Sequence, residues 1–202
     1  MTQLPPDDDE IFIFTEEEHT AELVPDTRQG RWKILIVDDD ADVHDATVFT
    51  LRDTVILNRG LEYLHAYSAK QAETLLREHT DIAVILLDVV METPNAGLDL
   101  IKTIRGPLAN AQSRIILRTG EPNQAPELQI IRDYDINDYK LKSELNQKRL
   151  YTSLTSAIRS YRQICTIEAS KKGLDMILRA SSELLTQEGL RGFAQGVIIH
   201  IA

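Results

Sequence analysis

Four places in the chain carry residues that do chemistry together: Asp38-Asp39-Asp40, Asp88, Thr119 and Lys142. Each closes an apolar run of strand character. Ile34-Leu35-Ile36-Val37 stops at three carboxylates, and Ile82 to Leu87 stops at Asp88. Ile115-Ile116-Leu117 runs through Arg118 to Thr119, and Ile136 to Leu141 leads to Lys142. Parallel α/β sheets bind ligands just beyond the C-terminal ends of their strands. Acid, acid, hydroxyl and ammonium are therefore expected along one edge of one sheet.

Carboxylates at neighbouring strand ends repel, and a divalent cation relieves the repulsion. Magnesium takes carboxylate and water oxygens in octahedral geometry, which suits Asp38, Asp39 and Asp88. No His/Cys cluster favours zinc. A carboxylate is also a nucleophile toward phosphorus, giving an aspartyl phosphate. That transfer needs in-line positioning and charge neutralisation more than covalent help. Asp88 is the expected nucleophile, with Lys142 offering positive charge to phosphoryl oxygens and Thr119 a hydrogen bond, while Gly120 leaves room for the new group. Taken singly, an Asp after a strand caps a helix, a loop Lys is a solvated charge and a strand Thr is a β-former. The order of the four and their common placement carry the functional reading.

The elements that must position them follow from periodicity. Strands are expected at Trp32–Val37, within Leu61–Tyr67, and at Ile82–Leu87, Arg114–Thr119 and Ile136–Leu141, the last short, mixed in polarity and so suited to a sheet edge. Between them the pattern predicts a helix over Ala41–Arg52, capped by Asp40, with Val43, Thr47, Val48 and Leu51 on one face. Asn58-Arg59-Gly60 reads as a turn, and Ser68 caps a second helix with Ala69, Ala72, Leu75 and Leu76 inward. A loop through Thr93-Pro94-Asn95 to Gly97 precedes a third helix lined by Leu98, Ile101 and Ile104 and closed by Gly106-Pro107. A fourth helix is expected over Ala125–Asp133, and helical pattern resumes from Glu144 with Leu150, Leu154, Ile158 and Tyr161 on one face. Strands alternating with helices predict a parallel sheet with right-handed crossovers.

Bulk properties narrow the class. The 202 residues carry a formal net charge of −10, which argues against a nucleic-acid surface and agrees with a site that collects a cation. The single cysteine, Cys165, excludes a disulfide framework within the chain and suits a reducing cytoplasm. No apolar run reaches the length of a membrane span, and the polar, acidic start lacks a signal-peptide pattern. Residues 1–30 read as an acidic N-terminal arm, in which Ile11-Phe12-Ile13-Phe14 lies between two acid runs as a short segment that docks as a strand or stays in a solvated tail.

Asp38-Asp39, Asp88, Thr119 and Lys142 resemble the signature set of the two-component response-regulator receiver domain, over about Arg31 to Tyr161. The resemblance implies an α/β, flavodoxin-like, doubly wound five-stranded parallel sheet of order 2-1-3-4-5, the order of a chemotaxis receiver, with a helical C-terminal extension. It implies that Asp88 takes a phosphoryl group from the phosphohistidine of a sensor histidine kinase or phosphotransfer protein. It implies Mg2+ bound by Asp39, Asp88 and the backbone carbonyl of Val90, with Asp38 acting partly through water. Thr119 and Tyr139 resemble the coupled switch pair, in which the hydroxyl moves to the phosphate and the ring follows inward. Three departures stand out: Ser143 follows Lys142 where the family has proline, the loop Val89-Val90-Met91-Glu92-Thr93-Pro94 is long, and Val90 and Glu121 flank the approach of hydrolytic water.

Lys142 to Arg162 and the tract Ile167 to Ile201 are similar to proteins in which a receiver precedes a sensor-like region and an HD-GYP phosphodiesterase acting on cyclic di-GMP. The expected division is an arm over 1–30, a receiver over 31–161, a connector and dimerisation helix over 162–187 and the start of a following domain over 188–202. Ile164, Ile167, Leu174, Leu178 and Leu185 fit a heptad seam, with Lys171 and Ser181 as its polar members, so a homodimer is expected. This chain itself is expected to be a phosphoacceptor and not an enzyme, cytoplasmic, with no nucleic-acid or membrane partner. Rival readings are a receiver-like module that dimerises without phosphorylation, and an aspartate-nucleophile phosphatase of the haloacid dehalogenase type. The phosphatase wants a second acid where Val90 stands. A flavodoxin-type flavin site is disfavoured by acids where a phosphate-binding loop needs glycine or hydroxyls.

Overall fold

The computed structural model describes residues 30–120, 136–142 and 146–201, with side chains in the last helix described as far as Ser182. Five parallel strands form one sheet: β1 (Trp32–Val37), β2 (Leu61–Ala66), β3 (Ile82–Asp88), β4 (Arg114–Thr119) and β5 (Asp138–Leu141), in the order β2-β1-β3-β4-β5. The helices are α1 (Ala41–Thr50), α2 (Ala69–Glu78), α3 (Ala96–Arg105) and α4 (Gln147–Ile201). The flavodoxin-like order and the helical C-terminal extension are as expected. The expected helix over Ala125–Asp133, the arm with Ile11–Phe14, Glu121, Ser143 and Glu144 lie outside the described residues.

The central strand β3 is buried at every position, which is why its sequence is a continuous apolar run and not an alternation. Edge strand β2 is buried at its ends and open between them. One face of the sheet packs Leu35, Ile85 and Leu117 against α2 and α3. The other packs Ile34, Ile36, Leu86 and Ile116 against the region of α1 and Leu150, Leu154, Ala157 and Ile158 of α4. The result is helices on both faces, the form in which a parallel sheet hides its apolar surfaces.

Local signals act where the sequence placed them. Asp40 accepts from the Asp42 N–H at 2.9 Å and caps α1, and Ser68 accepts from the Gln71 N–H at 3.2 Å and caps α2. The loop after β3 is tied down by Glu92, whose carboxylate accepts from the Ala69 N–H at 2.7 Å, so the long loop and the start of α2 hold each other. Several details differ from expectation. On the first helix Thr47 and Leu51 are buried and Val43 and Val48 half-buried, as expected, and His44 is buried beside them, which was not expected. The third helix starts at Ala96, so Gly97 lies in its first turn and not in the loop. The fifth strand pairs only from Asp138, where its register with Ile116 begins.

The last helix is continuous through Gly173, the position at which low propensity allowed a break. At about 1.5 Å per residue it extends roughly 80 Å. Its N-terminal part is anchored by Tyr161, which packs edge-on against Trp32 with ring centroids 6.3 Å apart, and by Glu168, which accepts a hydrogen bond from Gln112. Farther along, Ile167, Leu174 and Leu178 are 67%, 58% and 56% exposed. No helix among the described residues is long and apolar enough to cross a membrane.

Candidate functional site

Register brings the strand ends together. Val37 pairs with Leu87, so Asp38 follows beside Asp88, and Asp88 itself pairs with Arg118. Thr119 pairs with Leu141, which sets Lys142 next in line. Asp38 and Asp88 are buried while Asp39 is exposed, and one oxygen of each lies within 4.8 Å of the others. Such a set of hard anionic oxygens, open to solvent on the Asp39 side, fits a small divalent cation such as magnesium. Val90 follows two residues after Asp88, partly buried in the loop.

Lys142 joins the acids. Its Nζ lies 2.8 Å from Asp88 Oδ2 and 3.1 Å from Asp38 Oδ2. Burial alone would lower the Lys142 pKa, but its hydrogen bonds and attraction to Asp88 and Asp38 outweigh this and leave it raised. The Asp88 pKa is raised, chiefly by burial and further by repulsion from Asp38. Lys142 and the Val89 N–H, which donates to Asp88 Oδ1 at 2.8 Å, act against that rise. Thr119 is buried at the end of β4. A Cβ added at Gly120, next to Thr119, meets nothing within 4 Å among the described residues. Tyr139 on β5 is buried in the cluster that holds Leu117 and Val89.

Three residues that the motif reading passed over hold this site. His44 lies beneath Asp38: its Nε2 donates to the Asp38 carbonyl at 2.8 Å, its Nδ1 lies 2.9 Å from His65 Nδ1, and its ring is 4.4 Å from that of Tyr67. Its signal was helical spacing, since 44, 47 and 51 share one face. Gly97 lets α3 press on the end of β3: an added Cβ would stand 2.0 Å from the Asp88 carbonyl oxygen and 2.9 Å from Val89 Cα. Arg118 is fully buried within β4. It donates to Thr47 Oγ1 at 2.8 Å and approaches Asp38 Oδ2 at 3.4 Å. Burial lowers its pKa from the ordinary value, opposed by Asp38 and Asp88. A charged residue directly after the apolar run Ile115-Ile116-Leu117 was its visible sign.

Comparison with known proteins agrees with this fold. Residues 34–155 match the response regulator receiver domain family, and residues 154–202 match a domain of unknown function, DUF3369. The chain is 43% identical over 170 residues to a 3'3'-cGAMP-specific phosphodiesterase 2 of Vibrio cholerae, a match covering 84% of this chain and 33% of that protein. The chain thus spans about a third of the length of this curated relative. Among solved structures it is similar to a response regulator receiver domain protein of Clostridium thermocellum, with TM-score 0.56, 21% identity and coverage of 66% of this chain and 98% of that one. It is also similar to the signal receiver domain of an HD domain-containing protein of Pseudomonas fluorescens, with TM-score 0.55, 22% identity and coverage of 66% and 98%. At these identities the structural likeness speaks for the fold.

Proposed function

This chain belongs to the response regulator receiver domain family, and on that premise we propose that Asp88 is its phosphoacceptor, charged by a sensor histidine kinase or phosphotransfer protein to switch a C-terminal output. The observation that carries the reading is Lys142 Nζ, 2.8 Å from Asp88 Oδ2 and 3.1 Å from Asp38 Oδ2, at strand ends whose acids converge within 4.8 Å. An Asp88 oxygen attacks the phosphorus. The new P–O bond forms as the P–N bond to the donor imidazole breaks, and the bonding pair returns to that nitrogen. Lys142 transfers its hydrogen bond from Asp88 to a phosphoryl oxygen, and Thr119 donates to another beside Gly120. Tyr139, already buried, then holds Thr119 in that position. Asp39, Asp88 and the Val90 carbonyl would hold magnesium, with Asp38 acting through water, and the bound ion would supply positive charge to the phosphoryl oxygens. The test is intact mass after incubation with a small phosphodonor. One phosphoryl group is expected with magnesium and none with a chelator. No adduct under either condition would overturn the reading.

The acids also define a prediction for the cation. Asp39→Ala removes the exposed ligand and relieves repulsion on Asp38 and Asp88. Magnesium affinity by titration is expected to fall at least about tenfold, while the metal-free variant melts higher than wild type. Unchanged affinity would move the cation site elsewhere.

We extend the reading along the chain as an arm over 1–30, a receiver over 31–161, a connector over 162–187 and the start of an output region over 188–202. The output is a cyclic-dinucleotide phosphodiesterase, and the Vibrio cholerae relative's name gives 3'3'-cGAMP as its substrate, where the sequence resemblance implied cyclic di-GMP. The signalling event takes place in the cytoplasm without nucleic acid or membrane as partner. The exposed Ile167, Leu174 and Leu178 pair two copies through the connector, with Lys171 as a polar seam position. By light scattering the full chain is expected to be a dimer and Leu174→Glu with Leu178→Glu a monomer. A monomeric wild type, with and without a phosphoryl mimic, would refute the pairing. A dimeric variant would put the contact on the receiver.

A further inference from the structure

Arg118 is costly where it stands. It is fully buried in β4, between Leu117 and Thr119, and its Nε has no partner among the described residues. A guanidinium carries five donors, and leaving any of them dry is unfavourable. Packing alone does not call for it, since an apolar side chain of similar length fills such a space without that cost. Its remaining nitrogens are aimed. One donates to Thr47 Oγ1 at 2.8 Å, and the Thr47 hydroxyl in turn donates to the Val43 carbonyl at 2.6 Å, which turns a lone pair toward the guanidinium. The other lies 3.4 Å from Asp38 Oδ2. Asp38 is equally buried, and among the described residues the other contacts of its carboxylate are Lys142 and the Asp40 N–H, 3.1 Å from Asp38 Oδ1.

We propose that Arg118 is a positioning residue, the resident countercharge that holds the Asp38 carboxylate from inside the core. Without it, Lys142 alone would compensate two buried acids, and its transfer to a phosphoryl group would leave Asp38 uncovered. With it, Asp38 keeps a fixed partner on β4 and α1 whichever group Lys142 engages. The same charge stands close to the cation site and opposes a divalent ion there. The release of Lys142 rests on the reading of Asp88 as phosphoacceptor; the Arg118–Asp38 pair does not.

Metal-free melting decides the matter by sign. In a plain acid cluster, removing either carboxylate relieves repulsion and raises the melting temperature. With Arg118 as the partner of Asp38, the nearly isosteric Asp38→Asn leaves a buried cation uncompensated, and the expected change is a drop of about 10 °C. Asp39→Asn is expected to rise. Adding Arg118→Met to Asp38→Asn should recover part of the loss. Magnesium titration supplies a readout that packing does not move: Arg118→Met is expected to bind about tenfold more tightly as a like charge is lost, and Arg118→Lys to stay near wild type. Asp38→Asn melting at or above wild type, or a double variant no more stable than the single, overturns the proposal. A wild type that binds no magnesium would count against the metal site, and the melts would still decide the pair.

Discussion

Asp88→Asn is expected to take up no phosphoryl group and, at neutral pH, to melt higher than wild type. The first effect follows from chemistry, because an amide has no anionic oxygen to attack phosphorus. The second follows from burial. Asp88 is 3% exposed, and its pKa is raised above the ordinary value by burial and by Asp38, against the opposing pull of Lys142 and the Val89 N–H. A carboxyl whose folded pKa exceeds its unfolded one holds its proton more tightly when folded. Folding therefore gains from this group in acid, below the ordinary aspartate range, and loses that gain as pH rises through the raised value. At neutral pH the whole penalty is present, and asparagine removes it. The stability gap between variant and wild type should close as the pH falls below the ordinary aspartate range. Intact mass and melts at two pH values check both halves. A full adduct on the variant would put the phosphoacceptor elsewhere, and a gap that widens in acid would contradict the raised pKa.

Gly97→Ala is expected to cost about 3 kcal/mol of stability, at the upper end of ordinary overpacking, and to blunt phosphoryl uptake. The added Cβ would stand 2.0 Å from the Asp88 carbonyl oxygen and 2.9 Å from Val89 Cα, and both obstacles are backbone. No side-chain rotation relieves such a clash. The start of α3 must back away from β3, breaking the hydrogen bond in which the Gly97 N–H donates to the Val89 carbonyl at 3.1 Å. Because Val89 also donates to Asp88 Oδ1, the displacement passes directly to the carboxylate. Gly120→Ala is the control: an added Cβ there meets nothing within 4 Å among the described residues, so the change should stay within about 0.5 kcal/mol. Denaturant unfolding of the two variants would show the contrast, and equal stabilities would mean that α3 has slack at this point.

The strands were legible because a parallel sheet covered on both faces needs continuous apolar runs, and a polar residue that ends such a run is visible in one dimension. Asp38, Asp88, Thr119 and Lys142 were therefore nameable from types and order alone, as were the Asp40 and Ser68 caps, which act on backbone two or three residues away. What the chain pattern could not contain is which face of one strand meets which face of another. Arg118 reads as a polar blemish after an apolar run until the pairing of Asp88 with Arg118, and of Val37 with Leu87, puts its guanidinium on the Asp38 side of the sheet. Gly97 reads as a loop glycine until α3 is laid against the end of β3. His44 and Glu92 find their partners, the Asp38 carbonyl and the Ala69 N–H, only across elements. Local chemistry is written in neighbours along the chain and is readable there. Countercharge, close approach and long-range capping depend on distances between segments far apart in sequence, and those distances exist only once the sheet has closed its register.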